Sequence, residues 1–213
     1  MTISEKQRQK KLQQKKRKRL QAARATQGGL SASTRTATLA RLPIHECLMP
    51  GALFESGIGG VLFARRTAGN QIAFSFFLVD SHCLGVKNAM FSQRSESEYE
   101  NLKVSILAQP GQGDIVMLEP ACARKLVEGA VAYAQNLGFS PHSDYRKANA
   151  IFGGVDPNDC QTEFEYGKDG KPFYMRGPHE TLSRAKRIVE QLDKRCGSGN
   201  YHYLISLDDA MIG

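Results

Sequence analysis

Apolar and polar positions form two kinds of pattern along the chain, and together they predict an α+β domain. Short apolar runs bounded by glycine, proline and asparagine are typical of strands. Two such runs, 60–66 and 72–80, flank a turn at Gly69 and Asn70 and predict an antiparallel hairpin. A further apolar run at 84–91 predicts a third strand, so the three strands form a meander.

Apolar residues spaced three and four positions apart predict two main helices in the second half of the chain. The first covers 120–137, with a proline in its first turn and Gly138 just after its end. The second covers about 178–196 and stops at Gly197. A shorter helix is expected over 145–152.

The other segments complete a mostly antiparallel sheet. Residues 162–166 and 172–175 alternate in polarity around Lys168, Asp169 and Gly170, which predicts a second hairpin. Residues 201–207 predict a C-terminal strand, whereas 92–115 are polar and predict a weak helix or loop. The expected fold is a single α+β domain: an N-terminal meander, a second hairpin and a C-terminal strand, packed by two main helices.

Charge divides the 213-residue chain at position 41. The net charge is +8, yet residues 1–41 carry twelve basic side chains and one acidic one, whereas residues 42–213 carry 17 basic and 20 acidic ones. We therefore expect a basic tail and linker over 1–41 and a globular α+β domain over 42–213. A tail of this charge makes polyanions the first partners to consider.

The tail has almost no large apolar side chains to bury, so we expect disorder when it is free and a helix when phosphate neutralises it. This predicts a non-catalytic RNA- or ribosome-associated protein whose body supplies orientation or a protein contact. The alternative is a solvated solubility tail or a localisation signal. The residues predicted to bind phosphate are Lys10, Lys11, Lys15, Lys16, Arg17, Lys18, Arg19 and Arg24.

A weaker RNA contact is predicted at the second hairpin. Lys168 and Lys171 belong to the tip of the predicted hairpin, and the aromatic Tyr174 follows just beyond it in the sequence. Cations beside aromatic rings are what single-stranded RNA contacts use. An ordinary exposed turn above a packed strand has the same composition. A protein-interaction module remains a further alternative for the body.

An enzyme is the main alternative to a binding protein. A ribonuclease H-like nuclease needs several carboxylates, because divalent metal ions bound to them hold the scissile phosphate. The candidates here are Asp80, Glu128 and Asp144, with His142 close to Asp144 in the sequence. Structural roles explain the same residues, since an aspartate caps a strand end or a helix and a glutamate lies on a solvated helix face. No other cofactor is predicted.

Thiol chemistry is a second enzymatic possibility, with Cys83 as nucleophile and His82 or His142 as base. His45, Cys47, His82 and Cys83 also offer two imidazoles and two thiols, a ligand set that suits zinc if the two segments meet. Buried thiols that pack as small hydrophobes are the simpler interpretation.

The five cysteines lie singly, without a CxxC pair, in a chain long enough to form a core without disulfides. A reducing cytoplasm is therefore the expected setting. The basic N-terminus lacks the apolar stretch of a signal peptide, and the apolar runs are too short to span a membrane.

Four segments carry a resemblance to a group of bacterial proteins, many with a lysine-rich start. They are Leu78–Asn88 (LVDSHCLGVKN), Tyr133–Tyr145 (YAQNLGFSPHSDY), Phe164–Tyr174 (FEYGKDGKPFY) and Tyr201–Leu204 (YHYL). The likeness covers most of 43–207. The group has no settled activity, so the resemblance implies one domain in a bacterial cytosol and assigns no catalytic residue.

Overall fold

The structure, a computed structural model, describes residues 38–107 and 111–206, and these form an α+β fold as predicted. The strands are β1 (Ile44–Pro50), β2 (Ile58–Thr67), β3 (Gln71–Asp80), β4 (Gly85–Ser95), β5 (Ile115–Met117), β6 (Phe173–Met175) and β7 (His202–Leu204). The helices are α1 (Leu53–Ser56), α2 (Glu96–Leu107), α3 (Pro120–Asn136), α4 (Tyr145–Ala148) and α5 (Leu182–Cys196), and 3₁₀ turns cover Asn149–Phe152 and Pro157–Asp159.

A five-stranded antiparallel sheet in the order β4-β3-β2-β1-β5 forms the centre of the body. The predicted meander is its β2-β3-β4 part. Gly69 and Asn70 in the β2-β3 turn have φ of 72° and 54°, the left-handed conformation that glycine and asparagine tolerate best. The residues in the turn therefore suit the observed strand register, in which Thr67 of β2 pairs with Gln71 of β3.

Both faces of the sheet are covered, which is why β2 and β3 have long apolar runs rather than strict alternation. On one face, α3 and the Asn149–Phe152 turn pack on β2, β3 and β4, and the Phe77 and Phe152 rings stack with centroids 5.5 Å apart. On the other face, α2 packs its Tyr99 and Leu107 against Leu62 and neighbouring residues.

Helix α3 confirms the predicted core helix. Its apolar face is buried against the sheet, and Leu126, Val127 and Ala130 have no exposed surface. Gly85 at the start of β4 allows the close approach: a Cβ there would lie 2.7 Å from the carbonyl oxygen of Ala130.

Helix α2 decides between the two alternatives that the sequence predicts over 92–115, a weak helix or a loop, in favour of a helix over Glu96–Leu107. A capping box fixes its start: the Ser95 hydroxyl accepts from the Glu98 amide, and the Glu98 carboxylate accepts from the Ser95 amide at 3.1 Å. The row of glutamates at Glu96, Glu98 and Glu100 lies outside the apolar stripe, which is why hydrophobic spacing hid the helix.

The prediction of a second hairpin is wrong. Residues 162–166 form no strand, although a tight turn closes between Lys168 and Lys171. Strand β6 pairs in parallel with β7 instead, with Tyr174 opposite Tyr203. On either side of the turn, the Gly167 and Phe173 amides donate to the carbonyls of Ser81 and His82 in the loop after β3, so they are not available for a local ladder.

Helix α5 starts at Leu182, later than the predicted residue 178, because the Thr181 hydroxyl caps it by accepting from the Arg184 amide at 3.3 Å. Strand β7 covers only part of the predicted 201–207, and Leu207 lies outside the described residues. The predicted tail up to residue 37 also lies outside them. Leu39 is already buried in the core cluster between the sheet and the elements packed on it.

The expectation of a core without disulfides is also corrected, because two of the five cysteines are joined. Cys122 in the first turn of α3 forms a disulfide with Cys160, 38 residues further along the chain. Both cysteines are buried. The bond ties α3 to the segment that follows the Pro157–Asp159 turn.

Candidate functional site

The loop after β3 joins three separate segments of the body. The Ser81 amide donates to the Gly57 carbonyl, and the Ser81 carbonyl accepts from the Gly167 amide, both at 2.9 Å. The His82 carbonyl accepts from the Phe173 amide at 3.0 Å. Residues 81–82 therefore hold the α1 turn, the 167 loop and β6 at one place.

The His82 ring is fixed within this junction. Its Nε2 lies 2.9 Å from the carbonyl oxygen of Phe54, so that nitrogen carries the proton and donates. Gly57 has φ of 75°, and a Cβ there would fall 2.1 Å from His82 Nδ1, so the ring occupies the space that a side chain would need. His82 consequently lies in the wall between two cavities.

The large cavity, of about 600 Å³, lies on one side of His82. Phe54 and Phe164 line it, and their rings are stacked 5.6 Å apart and nearly parallel. Carboxylates of Glu55, Glu165 and Asp169 lie around these rings. Its lining therefore combines stacked aromatic rings with mainly acidic side chains.

The small cavity, of about 190 Å³, lies on the other side of His82. Asp80, Lys87 and Arg176 line it together with the α1 turn and the end of β6. Among the predicted catalytic residues, Asp80 reaches this cavity, and His82, predicted as a base or metal ligand, shares it.

Asp80 is almost completely buried at the end of β3 and caps the following turn. Its Oδ1 accepts from the Cys83 amide at 2.9 Å. Burial raises the pKa of Asp80, and the charge of Lys87 and the amides of Cys83 and Leu84 oppose that rise. The carboxyl group therefore has both a structural role and access to the small cavity.

Cys83 lies in an apolar cluster with Leu137, Leu192 and Tyr174, and none of its surface is exposed. Burial is the main cause that raises the pKa of the thiol well above its ordinary value. Because the thiolate is the nucleophilic form, this environment suits a packing role rather than the predicted nucleophile.

Glu128, His142 and Asp144 have local partners. The Glu128 carboxylate pairs with Arg124 Nε at 2.9 Å. The ring Nδ1 of His142 accepts from the Asp144 amide at 3.2 Å, and the Asp144 side chain makes no cap hydrogen bond to α4.

Within the described part of the chain, one group of three metal-ligating side chains has its ligand atoms within 4.8 Å of one another, and it does not include Asp80, Glu128 or Asp144. The structure therefore does not gather the predicted nuclease carboxylates around one ion.

The predicted zinc ligands are also spread over the sheet. Cys47 is buried on the α3 face, and burial raises the pKa of its thiol to about 12. His45 instead packs on the α2 face, with its ring 5.7 Å from that of Tyr99. His82 and Cys83 take the positions already described.

The three-residue group that does form was missed by sequence reasoning. It comprises His45, Glu46 and Glu100, but Lys103 Nζ lies 2.9 Å from the Glu46 carboxylate and 2.7 Å from that of Glu100. Tyr99 also donates its hydroxyl to Glu46 at 2.6 Å. An ammonium and a hydroxyl thus already satisfy these carboxylates.

The predicted RNA contact at the turn is partly wrong. Tyr174 has no exposed surface and donates its hydroxyl to Glu180 at 2.8 Å, so it cannot stack on a base. The Lys168 ammonium lies 5.2 Å from the centre of the Phe173 ring, and Lys171 Nζ donates to the Gly199 carbonyl at 3.0 Å.

The predicted phosphate-binding residues, from Lys10 to Arg24, lie outside the described residues. Comparison of the chain with family models, curated proteins and solved structures gave no significant match. Among the described residues, no helix has the length and apolar character needed to cross a membrane.

Proposed function

We propose that the protein is a non-catalytic RNA- or ribosome-associated protein that binds phosphate through residues 1–41. The observation that carries this proposal is the concentration of twelve basic residues against one acidic residue in that segment. Such a segment releases counterions when it binds a nucleic acid, and this release is the main source of sequence-independent affinity.

The environments of the enzymatic candidates support a non-catalytic body. Asp80 caps a turn, Glu128 is paired with Arg124, and Cys83 packs in an apolar cluster. Each group is used in a local contact that stabilises the fold. The body would then orient the basic segment or bind a protein partner.

A bacterial cytoplasm belongs to the same proposal and rests on the resemblance described above. The Cys122–Cys160 disulfide is an observation against a reducing compartment, because such bonds persist mainly in oxidising ones. Thiol labelling of the protein in intact cells, with and without prior reduction, decides this point.

RNA binding is tested by neutralising part of the basic segment in the full chain. Replacing Lys15, Lys16, Arg17, Lys18 and Arg19 by glutamine removes five phosphate contacts, so affinity for a labelled single-stranded RNA at low salt falls at least ~100-fold. Fluorescence anisotropy measures the change.

The matched control removes the same number of charges from the body. Five exposed basic residues of the body serve for this control: Arg146, Lys147, Lys186, Arg187 and Lys194. Their replacement by glutamine leaves the RNA affinity within about threefold of the wild-type value. Equal losses of RNA affinity in both variants would contradict the proposal.

Two other results would favour the alternative functions. Metal-dependent cleavage of the RNA would favour the nuclease, and retention of protein partners after nuclease treatment of a lysate would favour an interaction module.

A further inference from the structure

We infer that the large cavity beside His82 binds an aliphatic polyamine, a flexible chain of methylene groups that carries several ammonium groups. The inference concerns the body and goes beyond RNA binding by residues 1–41. It rests on two independent features of the cavity lining: a pair of stacked phenyl rings, and carboxylates that outnumber the cations beside them.

The two phenyl rings offer an apolar surface that also attracts cations. Phe54 comes from α1 and Phe164 from the loop before the Lys168–Lys171 turn, and their ring centroids lie 5.6 Å apart. Both residues are half-buried, and Met49 lines the cavity with them. Methylene groups pack on such rings, and an ammonium near a ring face is attracted by its negative π-surface.

Four carboxylates line the cavity, and one of them has a partner of its own. Glu163 pairs with Lys125 Nζ at 2.7 Å. The other three belong to Glu55, Glu165 and Asp169, and they form no ion pair or hydrogen bond with residues 38–107 or 111–206.

The lysine in the lining leaves these three carboxylates in excess. The Lys168 ammonium lies 5.2 Å from the centre of the Phe173 ring and makes no ion pair with the part of the chain that the structure describes. His82 uses the proton on its Nε2 for the carbonyl of Phe54. One ammonium against three carboxylates leaves an excess of two negative charges, so charge complementarity selects a ligand with at least two positive charges.

The carboxylates come from three places in the fold. Glu55 lies on α1, Glu165 in the loop that carries Phe164, and Asp169 in the turn that follows. A ligand that contacts all three has its charges separated along its length, and a polyamine has this arrangement. The cavity volume of about 600 Å³ lies within the range of about 300–1,000 Å³ that is usual for small-molecule pockets.

The wall that carries Phe164 is fixed to α3 on both sides of the ring. On one side, Cys160 forms the disulfide with Cys122. On the other side, Tyr166 donates its hydroxyl to the carbonyl of Leu126 at 2.9 Å. Residues 161–166 form no helix or strand, so these contacts hold the wall in place. A wall that is ordered before a ligand arrives loses less conformational entropy on binding.

The test is a titration of the full ¹⁵N-labelled chain, free of nucleic acid, with the triamine spermidine, followed by NMR. We expect saturable shifts at the amides of Glu55, Phe164 and Asp169. Mg²⁺ at matched ionic strength should give a higher midpoint, because a hydrated ion does not pack on the rings. A midpoint for Mg²⁺ equal to or below that for spermidine would show an acidic cluster only and would overturn the inference.

Neutralising the three carboxylates in excess should weaken spermidine binding. In the triple variant Glu55→Gln, Glu165→Gln and Asp169→Asn the midpoint rises at least ~tenfold. All three side chains are exposed, so the fold is retained.

The matched control neutralises the same number and kind of exposed carboxylates elsewhere on the body, so that the net charge is the same. Its midpoint stays within about twofold of the wild-type value. Equal midpoints in the triple variant and the control would show that net charge alone attracts the polyamine, and would overturn the inference. The control substitutions are Glu119→Gln, Asp144→Asn and Glu190→Gln.

Phe164→Leu tests the rings separately, since it retains every carboxylate. The spermidine midpoint should rise about three- to fivefold, and an unchanged midpoint would contradict a role for the stacked rings. A trilysine peptide with a lower midpoint than spermidine would show that the cavity takes a protein segment instead. Absence of saturable shifts at the three amides in the wild-type chain also overturns the inference.

Discussion

Residues 1–41 and the folded body differ in how many acidic residues accompany their basic ones. In the body, some basic side chains make internal contacts: Lys103 bridges two carboxylates, and the buried Arg65 guanidinium donates to the carbonyls of residues 42, 151 and 152. In residues 1–41, Glu5 is the single acid available to twelve basic residues. Part of the positive charge therefore stabilises the body, whereas we propose that an external polyanion compensates the charge of residues 1–41.

This difference makes the two regions separable by mutation. Changes in the body should alter the free energy of unfolding without altering RNA affinity, and changes in the basic segment should do the reverse. Among substitutions in the body, the expected loss in the free energy of unfolding is larger when more of the core is disturbed.

Removing the disulfide should have the largest effect on the body. The double substitution of Cys122 and Cys160 by alanine frees a loop of 38 residues, and the lost constraint lowers the free energy of unfolding by about 2–4 kcal/mol. Urea denaturation measures this loss, while RNA affinity stays the same. Cys196→Ala is the control, since that thiol is unpaired. A wild-type stability that is insensitive to reductant would contradict the prediction.

Gly85→Ala should cost about 2–3 kcal/mol, because a left-handed residue acquires a Cβ against the backbone of α3. Gly69→Ala separates the two causes. Its φ of 72° is close to the 65° of Gly85, but its Cβ meets nothing within 4 Å. The control therefore costs only about 1 kcal/mol. Equal losses in thermal or urea unfolding would show that close helix packing is not what requires glycine at position 85.

Tyr99→Phe should cost about 1–2 kcal/mol at pH 7, since it removes a hydrogen bond to a charged acceptor. Burial acts to raise the pKa of Glu46, but hydrogen bonds from Tyr99 and Lys103 outweigh it, so the pKa is lowered. A lowered folded pKa means that the stabilisation is complete above the ordinary value of about 4.3 and is lost as pH falls through the folded value.

The difference in unfolding free energy between the wild type and Tyr99→Phe therefore narrows in acid. Urea denaturation from pH 7 down to about pH 3 follows it. A difference that stays constant over this range would show that Glu46 is not the acceptor that matters.

Asp144→Asn should have the smallest effect, below about 0.5 kcal/mol, because the side chain is exposed and makes no cap hydrogen bond. RNA affinity stays unchanged. Loss of a metal-dependent RNA cleavage activity in this variant would instead restore the nuclease interpretation.

Local chemistry made much of the fold predictable from sequence. The β2-β3 turn needs residues that tolerate positive φ, and Gly69 and Asn70 supply them. Helix α3 has a complete apolar face and a proline start. Helix α2 was predicted only as a weak helix or loop, because the signal at its start is a capping box, from Ser95 to Glu98, rather than hydrophobic spacing.

The contacts that escaped prediction are long-range. The parallel partner of β6 lies about thirty residues further along the chain, and a local turn at Lys168–Lys171 suggested the wrong one. Lys87 and Arg176 meet at one cavity only through the junction around His82. Neither pairing leaves a local pattern, because each joins residues that lie far apart in the sequence.

The salt dependence of RNA binding tests the central claim most directly. If the eight predicted residues from Lys10 to Arg24 each contact a phosphate, the logarithm of the binding constant falls against the logarithm of salt concentration with a slope of roughly −5 to −6. Glutamine at positions 15–19 reduces the slope to about −2. A slope near zero, or the same slope in both proteins, would contradict the account.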